Sequence, residues 1–240
     1  MLFFTVCFVT LPFFLPEARA SNGTFTGLRF REELFININS LISFRPNMSP
    51  LAEKFSFCIW INKLRDRDGR NPVVFAYEGR EMTLFDDGHF LLFGKRGEVN
   101  RRITTGQWNQ YCGTWSTASM TFKAYINGTL AGALVTSFGR RLKTGGTLVL
   151  GDYLSQGTDR GWNHQFDGEM YNFTMFAKEL SGREIEELFF IGICAPVPEK
   201  LQPYRIIKWK KVMKLPRQGN VTEIRETCWV SVIILKSQSK

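Results

Sequence analysis

Between Phe55 and Asn62 the side chains alternate, with Phe55, Phe57, Ile59 and Ile61 on one face and Ser56, Cys58, Trp60 and Asn62 on the other. A period of two residues defines a strand, because successive Cβ atoms of a pleated backbone point to opposite sides. The alternation returns with Met120, Phe122, Ala124 and Ile126 set against Thr121, Lys123 and Tyr125, and it runs into Asn127-Gly128. Both residues of that pair tolerate the left-handed backbone of a two-residue turn, so a hairpin is predicted there. Further strands are expected over Thr24–Phe30, Pro72–Tyr77, Phe90–Phe93, Gln107–Trp115, Thr147–Leu150 and Gln165–Phe176. Turn clusters at Asp66-Arg67-Asp68-Gly69, Asp86-Asp87-Gly88 and Thr144-Gly145-Gly146 separate them. The 22 Phe and 21 Gly suit many strands joined by turns better than a helical bundle.

One segment departs from this pattern. Ser181-Gly182-Arg183-Glu184 is a capping box, in which the serine and glutamate side chains each satisfy a backbone donor at a helix start, and Ile185, Leu188 and Phe189 follow at helical spacing. A single short helix packed on a sandwich is expected. Pro196, Pro198 and Pro203 then mark a connector, after which Ile206 to Trp209 reads as a last strand.

The N-terminus carries an apolar run from Leu2 to Leu15, then Pro16, Glu17 and Ala18-Arg19-Ala20. That is the form of a signal peptide over residues 1–20, cleaved before Ser21, and too short for a membrane span of about 18 or more apolar residues. The later apolar run Trp229 to Leu235 is shorter still, so no span is expected in the mature chain, whose domain is placed at 21–228 with a tail at 229–240. Removing Cys7 with the leader leaves Cys58, Cys112, Cys194 and Cys228. Four cysteines in an oxidising compartment suggest two bridges, with three connectivities open. Sequons stand at Asn22, Asn47, Asn127, Asn172 and Asn220. Asn47 precedes Met48-Ser49-Pro50 and Asn172 sits inside a strand pattern, so Asn22, Asn127 and Asn220 are the expected glycan acceptors.

The order of these motifs resembles the pentraxin domain, a jelly-roll sandwich related to laminin-G and legume-lectin folds. Phe55-Ser56-Phe57-Cys58-Ile59-Trp60 looks like that family's first cysteine strand and Gln110-Tyr111-Cys112-Gly113-Thr114-Trp115 like its Cys-x-x-Trp strand. Gly145 to Gly151 is similar to its Gly-x-Leu-x-Leu-Gly strand, Phe166 to Phe173 to the strand that follows, and Ile207 to Val221 to its closing strand pair. The resemblance implies an all-β fold of two antiparallel sheets, concanavalin-like, with one short helix. It implies a Cys58–Cys112 bridge. The extra pair Cys194 and Cys228 is similar to the pentraxin domains of adhesion-class G-protein-coupled receptors, which implies a second bridge and a receptor-type ectodomain.

Soluble pentraxins bind calcium after the Leu-Gly strand, where a hard cation collects six to eight oxygens. Here the resemblance implies at most a degenerate site of Asp152, Asp159 and Glu81, because Tyr153 and Leu154 interrupt the acidic run and Arg80 stands beside Glu81. No other cofactor is expected. Asp167 and Glu169, two apart in a strand, share a face as a glycosidase acid pair does, but the third carboxylate of sandwich glycosidases is missing. His89 and His164, the only histidines, fall in no metal or nucleophile motif. The net charge of +9 is concentrated near the C-terminus, where Lys208, Lys210, Lys211, Lys214 and Arg217 form a basic patch. Outside the cell such a patch suits sulfated glycans, an acidic protein face or anionic phospholipid head groups. No base-reading motif accompanies it, so nucleic acid is not an expected partner. The expectation is therefore a secreted or cell-surface, non-enzymatic recognition module that binds an extracellular protein or anionic glycan without calcium. The alternatives are a soluble, oligomeric, calcium-dependent pentraxin and a sandwich glycoside hydrolase.

Overall fold

The computed structural model describes residues 24–31, 41–66, 72–79, 81–136, 140–153 and 164–228. The expected leader, Asn22, Arg80, Asp159 and the tail at 229–240 lie outside the described residues.

In chain order the strands are β1 (Thr24–Phe30), β2 (Ile42–Phe44), β3 (Lys54–Lys63), β4 (Val73–Tyr77), β5 (Met82–Phe85), β6 (Phe90–Leu92) and β7 (Lys95–Gly97). They continue with β8 (Trp108–Ser116), β9 (Thr121–Ile126), β10 (Thr129–Val135), β11 (Leu148–Leu150), β12 (Gly168–Phe176), β13 (Arg205–Ile207) and β14 (Val221–Thr227). The larger sheet runs β10-β9-β8-β3-β12-β1-β14, with β13 also paired to β12, and the smaller runs β2-β11-β4-β5-β6-β7. Every ladder between named strands is antiparallel. This is the expected all-β, two-sheet jelly-roll sandwich.

The alternation in β3 places Phe55, Phe57, Ile59 and Ile61 between the sheets, each at most 1% exposed. Phe57 meets Phe75 of β4 edge-on at 4.8 Å, and Phe75 meets Phe173 of β12 at 5.1 Å. A Cβ at Gly113 would lie 2.4 Å from the Phe122 ring and 2.6 Å from the Phe57 ring, so only glycine lets these rings close over β8. The other face of β3 is buried as well: Ser56 is 0% exposed, and Cys58 and Trp60 are each 8% exposed. What covers it is helix α1 (Gly182–Phe190), whose Ile185 and Leu188 pack on Cys58, Cys112, Tyr125 and Phe176. The capping box forms as read, with Ser181 and Glu184 satisfying each other's backbone.

Two bridges hold this outer layer. Cys58 and Cys112 are register partners on β3 and β8, and Cys194–Cys228 ties the segment after α1 to the end of β14. The C-terminal region corrects two expectations. The strand read over Ile206 to Trp209 stops at Ile207 and is followed by a further strand, β14, while Trp209 opens a second helix, α2 (Trp209–Val212), so the fold has more than one helix. The reason is packing: Trp209 and Val212, three apart, are both buried, a helical rather than an alternating spacing. Three-residue strands such as β2 and β7, and the fully buried β5, carry no alternation to read.

Replacing both Cys58 and Cys112 with alanine should lower unfolding free energy by about 4 kcal/mol, the loop-closure value for their separation of 54. Urea denaturation of the double variant checks this; a loss under 1 kcal/mol would show that α1 alone holds the layer.

Candidate functional site

Strand β12 is flanked on one side by two different neighbours. β1 pairs with Gly168 to Met170 and β13 pairs with Met175 and Phe176, so residues 171–174 lie between the two. On its other side the register with β3 slips between Tyr171 and Thr174, and Asn172 takes a left-handed φ of 55°. The break in the sheet opens a groove of about 650 Å³, within the range of about 300–1,000 Å³ common for ligand sites.

Phe25, Tyr171 and Trp209 form its aromatic wall, with ring centroids 4.6 Å apart for the first pair and 5.9 Å for the second. Trp209 Nε1 donates to the Thr26 carbonyl at 3.0 Å, which docks α2 against β1. Cys194 to Val197 supply another wall, held in place by the Cys194–Cys228 bridge. Three cations line the groove: Arg205, Lys210 and Lys214. The one carboxylate lining it is Glu223, and Arg217 is already bonded to that group. Arg205 donates through Nη1 to Gln202 at 2.9 Å, while its Nε is buried with no hydrogen-bond partner. Burial pulls the guanidinium pKa below its ordinary value, the mark of a charge that lacks compensation.

The basic patch read from the sequence is thus divided. Lys210 and Lys214 line the groove, Lys208 and Lys211 are exposed but do not, and Arg217 is engaged by Glu223 and the Met213 carbonyl. Arg205 was visible only as part of a charge excess; its position in the groove depends on the β12–β13 pairing, which no local pattern encodes.

Of the degenerate calcium set, the two described members, Glu81 and Asp152, stand toward opposite ends of β4. Glu81 lies just past the Tyr77 end of β4, whereas Asp152 follows Gly151, whose amide bonds Val74 near the other end of that five-residue strand. Glu81 Oε1 faces Arg140 at 3.7 Å and Lys143 at 3.8 Å, so cationic side chains stand where a calcium ion would compete. The Tyr153 hydroxyl reaches the Gly79 turn, where a Cβ would meet it at 2.9 Å. Among the described residues no three His, Cys, Asp or Glu side chains are grouped to hold a metal.

The acid pair is also divided. Glu169, 2% exposed, accepts from Arg29 Nε at 2.8 Å and from Asn62 at 2.9 Å, so both its oxygens are anchored, while Asp167 faces Arg65 at 3.3 Å. At the expected glycan acceptors, Asn127 holds the hairpin: its Oδ1 accepts from the Gln110 amide at 2.8 Å and its Nδ2 donates to Asn109 at 3.2 Å. Asn220 is half-buried just before β14, and its carbonyl accepts from Arg31.

A sandwich with a helix strapped to one outer face and a ligand-sized groove beside it is the architecture of a lectin-type domain. The chain belongs to the concanavalin A-like lectin/glucanases superfamily, whose family profile matches residues 39–186, and within it the domain is pentraxin-like. Human neuronal pentraxin-1 is 28% identical over 154 residues, covering 58% of this chain and 34% of that protein, so the chain spans about a third of the length of this relative. The heptameric SAP-like pentraxin of Limulus polyphemus superposes with a TM-score of 0.61 at 17% identity, over 87% of this chain and 97% of that one. The full extracellular region of zebrafish Gpr126/Adgrg6 gives 0.51 at 15% identity, over 81% of this chain and 26% of that one.

Away from the groove, burial raises the Asp86 carboxyl to about 6, partly offset by Lys63. The folded state therefore holds this proton more tightly than the unfolded chain. Its stabilising effect is complete below about pH 4 and is lost as pH rises through about 6, a change of up to about 3 kcal/mol. Asp86→Asn should flatten that slope in chemical denaturation between pH 4 and pH 7; an unchanged slope rules Asp86 out as its source.

Proposed function

We propose that the chain is an extracellular recognition domain that binds an anionic partner, a sulfated glycan or an acidic protein face, through the cationic side of the groove and without calcium. The observation that carries this reading is the meeting of Arg205, Lys210 and Lys214 around one groove whose single acid is bonded to Arg217. Charge in such excess draws anions by long-range attraction. An extracellular setting is supported by the two disulfides, by the pentraxin relatives and by the extracellular region whose fold it shares. No helix among the described residues is long and apolar enough to cross a membrane.

Calcium independence is supported by the Arg140 and Lys143 contacts of Glu81 and by its separation from Asp152 along β4. A binding role rather than catalysis is supported by Glu169, whose two oxygens are held by Arg29 and Asn62 and are not presented to a glycosidic bond.

Lys210→Glu with Lys214→Glu should weaken binding to immobilised heparin roughly tenfold, two exposed ion contacts at about 0.7 kcal/mol each. Reversal of Lys95 and Arg96 on β7 should have little effect. Equal losses in both pairs would mean that net charge, not the groove, sets affinity. Millimolar calcium should leave the melting temperature unchanged, and a rise on titration would restore the calcium-dependent alternative.

A further inference from the structure

Strand β12 carries an irregularity that the alternation of its residues conceals. Met170, Phe173 and Met175 all face the core and are fully buried. Two residues, Tyr171 and Asn172, therefore lie between consecutive inward positions where a regular strand has room for one. The register agrees, since Tyr171 pairs with Trp60 and Thr174 with Cys58, which leaves two residues of β12 opposite Ile59 alone. This is a β-bulge whose first residue is left-handed, a place that asparagine fills with little strain. The bulge sets Tyr171 and Asn172 side by side on the outer face, both half-buried and both lining the groove.

Asn172-Phe173-Thr174 is a sequon. We propose that Asn172 carries an N-linked glycan whose first sugars lie in the groove against the aromatic wall of Phe25, Tyr171 and Trp209. The inference rests on the extracellular reading, because only the secretory pathway attaches such glycans. In the transfer, Asn172 Nδ2 forms a bond to C1 of the first N-acetylglucosamine of a lipid-linked oligosaccharide. The bond from that carbon to the lipid pyrophosphate breaks, the pyrophosphate departs as the leaving group, and the amide proton passes to base.

Three features favour this residue. The hydrogen bond from Thr174 at 3.1 Å is accepted by the amide oxygen, not by Nδ2, the atom that would bear the sugar. Asn127 is the opposite case, with Nδ2 donating to Asn109. An aromatic ring directly precedes Asn172 and emerges on the same face, so the apolar side of a pyranose can rest on it. Thr174 is only 1% exposed, which is no barrier, because transfer takes place on the extended chain before β12 is paired; the folded domain must only house the product, and the groove supplies the room. A glycan seated here fills the groove and leaves Lys210 and Lys214 as a raised cationic edge, which fits a polymer or protein surface better than a small free ligand.

The test is peptide mapping of the chain secreted from mammalian cells, with its own N-terminal segment, after enzymatic deglycosylation in heavy-oxygen water. The expected result is label at Asn172 in most molecules. Asn172→Gly, which keeps the left-handed backbone and removes the acceptor, should fold and lose the mass of one glycan. No label at Asn172 in the secreted chain, whichever other sequon is labelled, overturns the proposal alone, whereas failure of the chain to reach the medium overturns it together with the extracellular reading.

Discussion

The rings of Phe57, Phe75, Phe122 and Phe173 interlock at the plane between the two sheets, and Phe57 and Phe122 can close there because β8 offers no side chain at Gly113. Apolar burial of this kind is the main favourable term in folding, worth roughly 2–3 kcal/mol for each fully buried aromatic ring. The rest of the architecture is built outward from that contact. Because the inner positions of β3, β8 and β12 are fixed by it, their outer positions are fixed too, and those present Cys58 and Cys112 as neighbours and Tyr171 beside Asn172. The helix layer, the bridges and the groove are all consequences of which residues the core leaves facing out.

The features most legible in the sequence were those with local causes. The alternation in β3 and in β9 from Thr121 onward, the Asn127-Gly128 turn and the Ser181 capping box each encode their structure within a few residues and form as read, whereas Met120, read as the first inward residue of β9, is an exposed turn residue with a left-handed backbone. The burial of the outer face of β3 was not legible, because Ser56, Cys58 and Trp60 are covered by a helix more than a hundred residues away in the chain. The same limit explains Trp209. Its neighbours Ile206 and Ile207 read as strand, yet the indole is drawn to Thr26 and Tyr171, and the chain turns into a helix to deliver it.

The binding residues divide along the same line. A local charge count identified Lys210 and Lys214, but it could not distinguish them from Lys208 and Lys211, which flank them in sequence and do not line the groove. Arg205 depends on pairing between distant strands. The surroundings of the degenerate calcium positions were hidden for a related reason: Glu81 and Asp152 stand toward opposite ends of β4, and Arg140 and Lys143 come from a connection between other strands to meet Glu81. A family's ligand positions persist in a sequence as spacing, whereas what neutralises them arrives from elsewhere in the fold.

The clasp between Cys194 and Cys228 also has a mechanical meaning. Among the described residues strand β14 is an edge, paired only with β1, and such a strand would ordinarily peel residue by residue when tension enters from its C-terminal side. Cys228 directly follows the last residue of β14, so a load on the following chain meets the sulfur bridge first and is shared with the segment behind α1. The bridge thereby couples the free end of β14 to the packed helix layer and keeps the outer strand from fraying at that end.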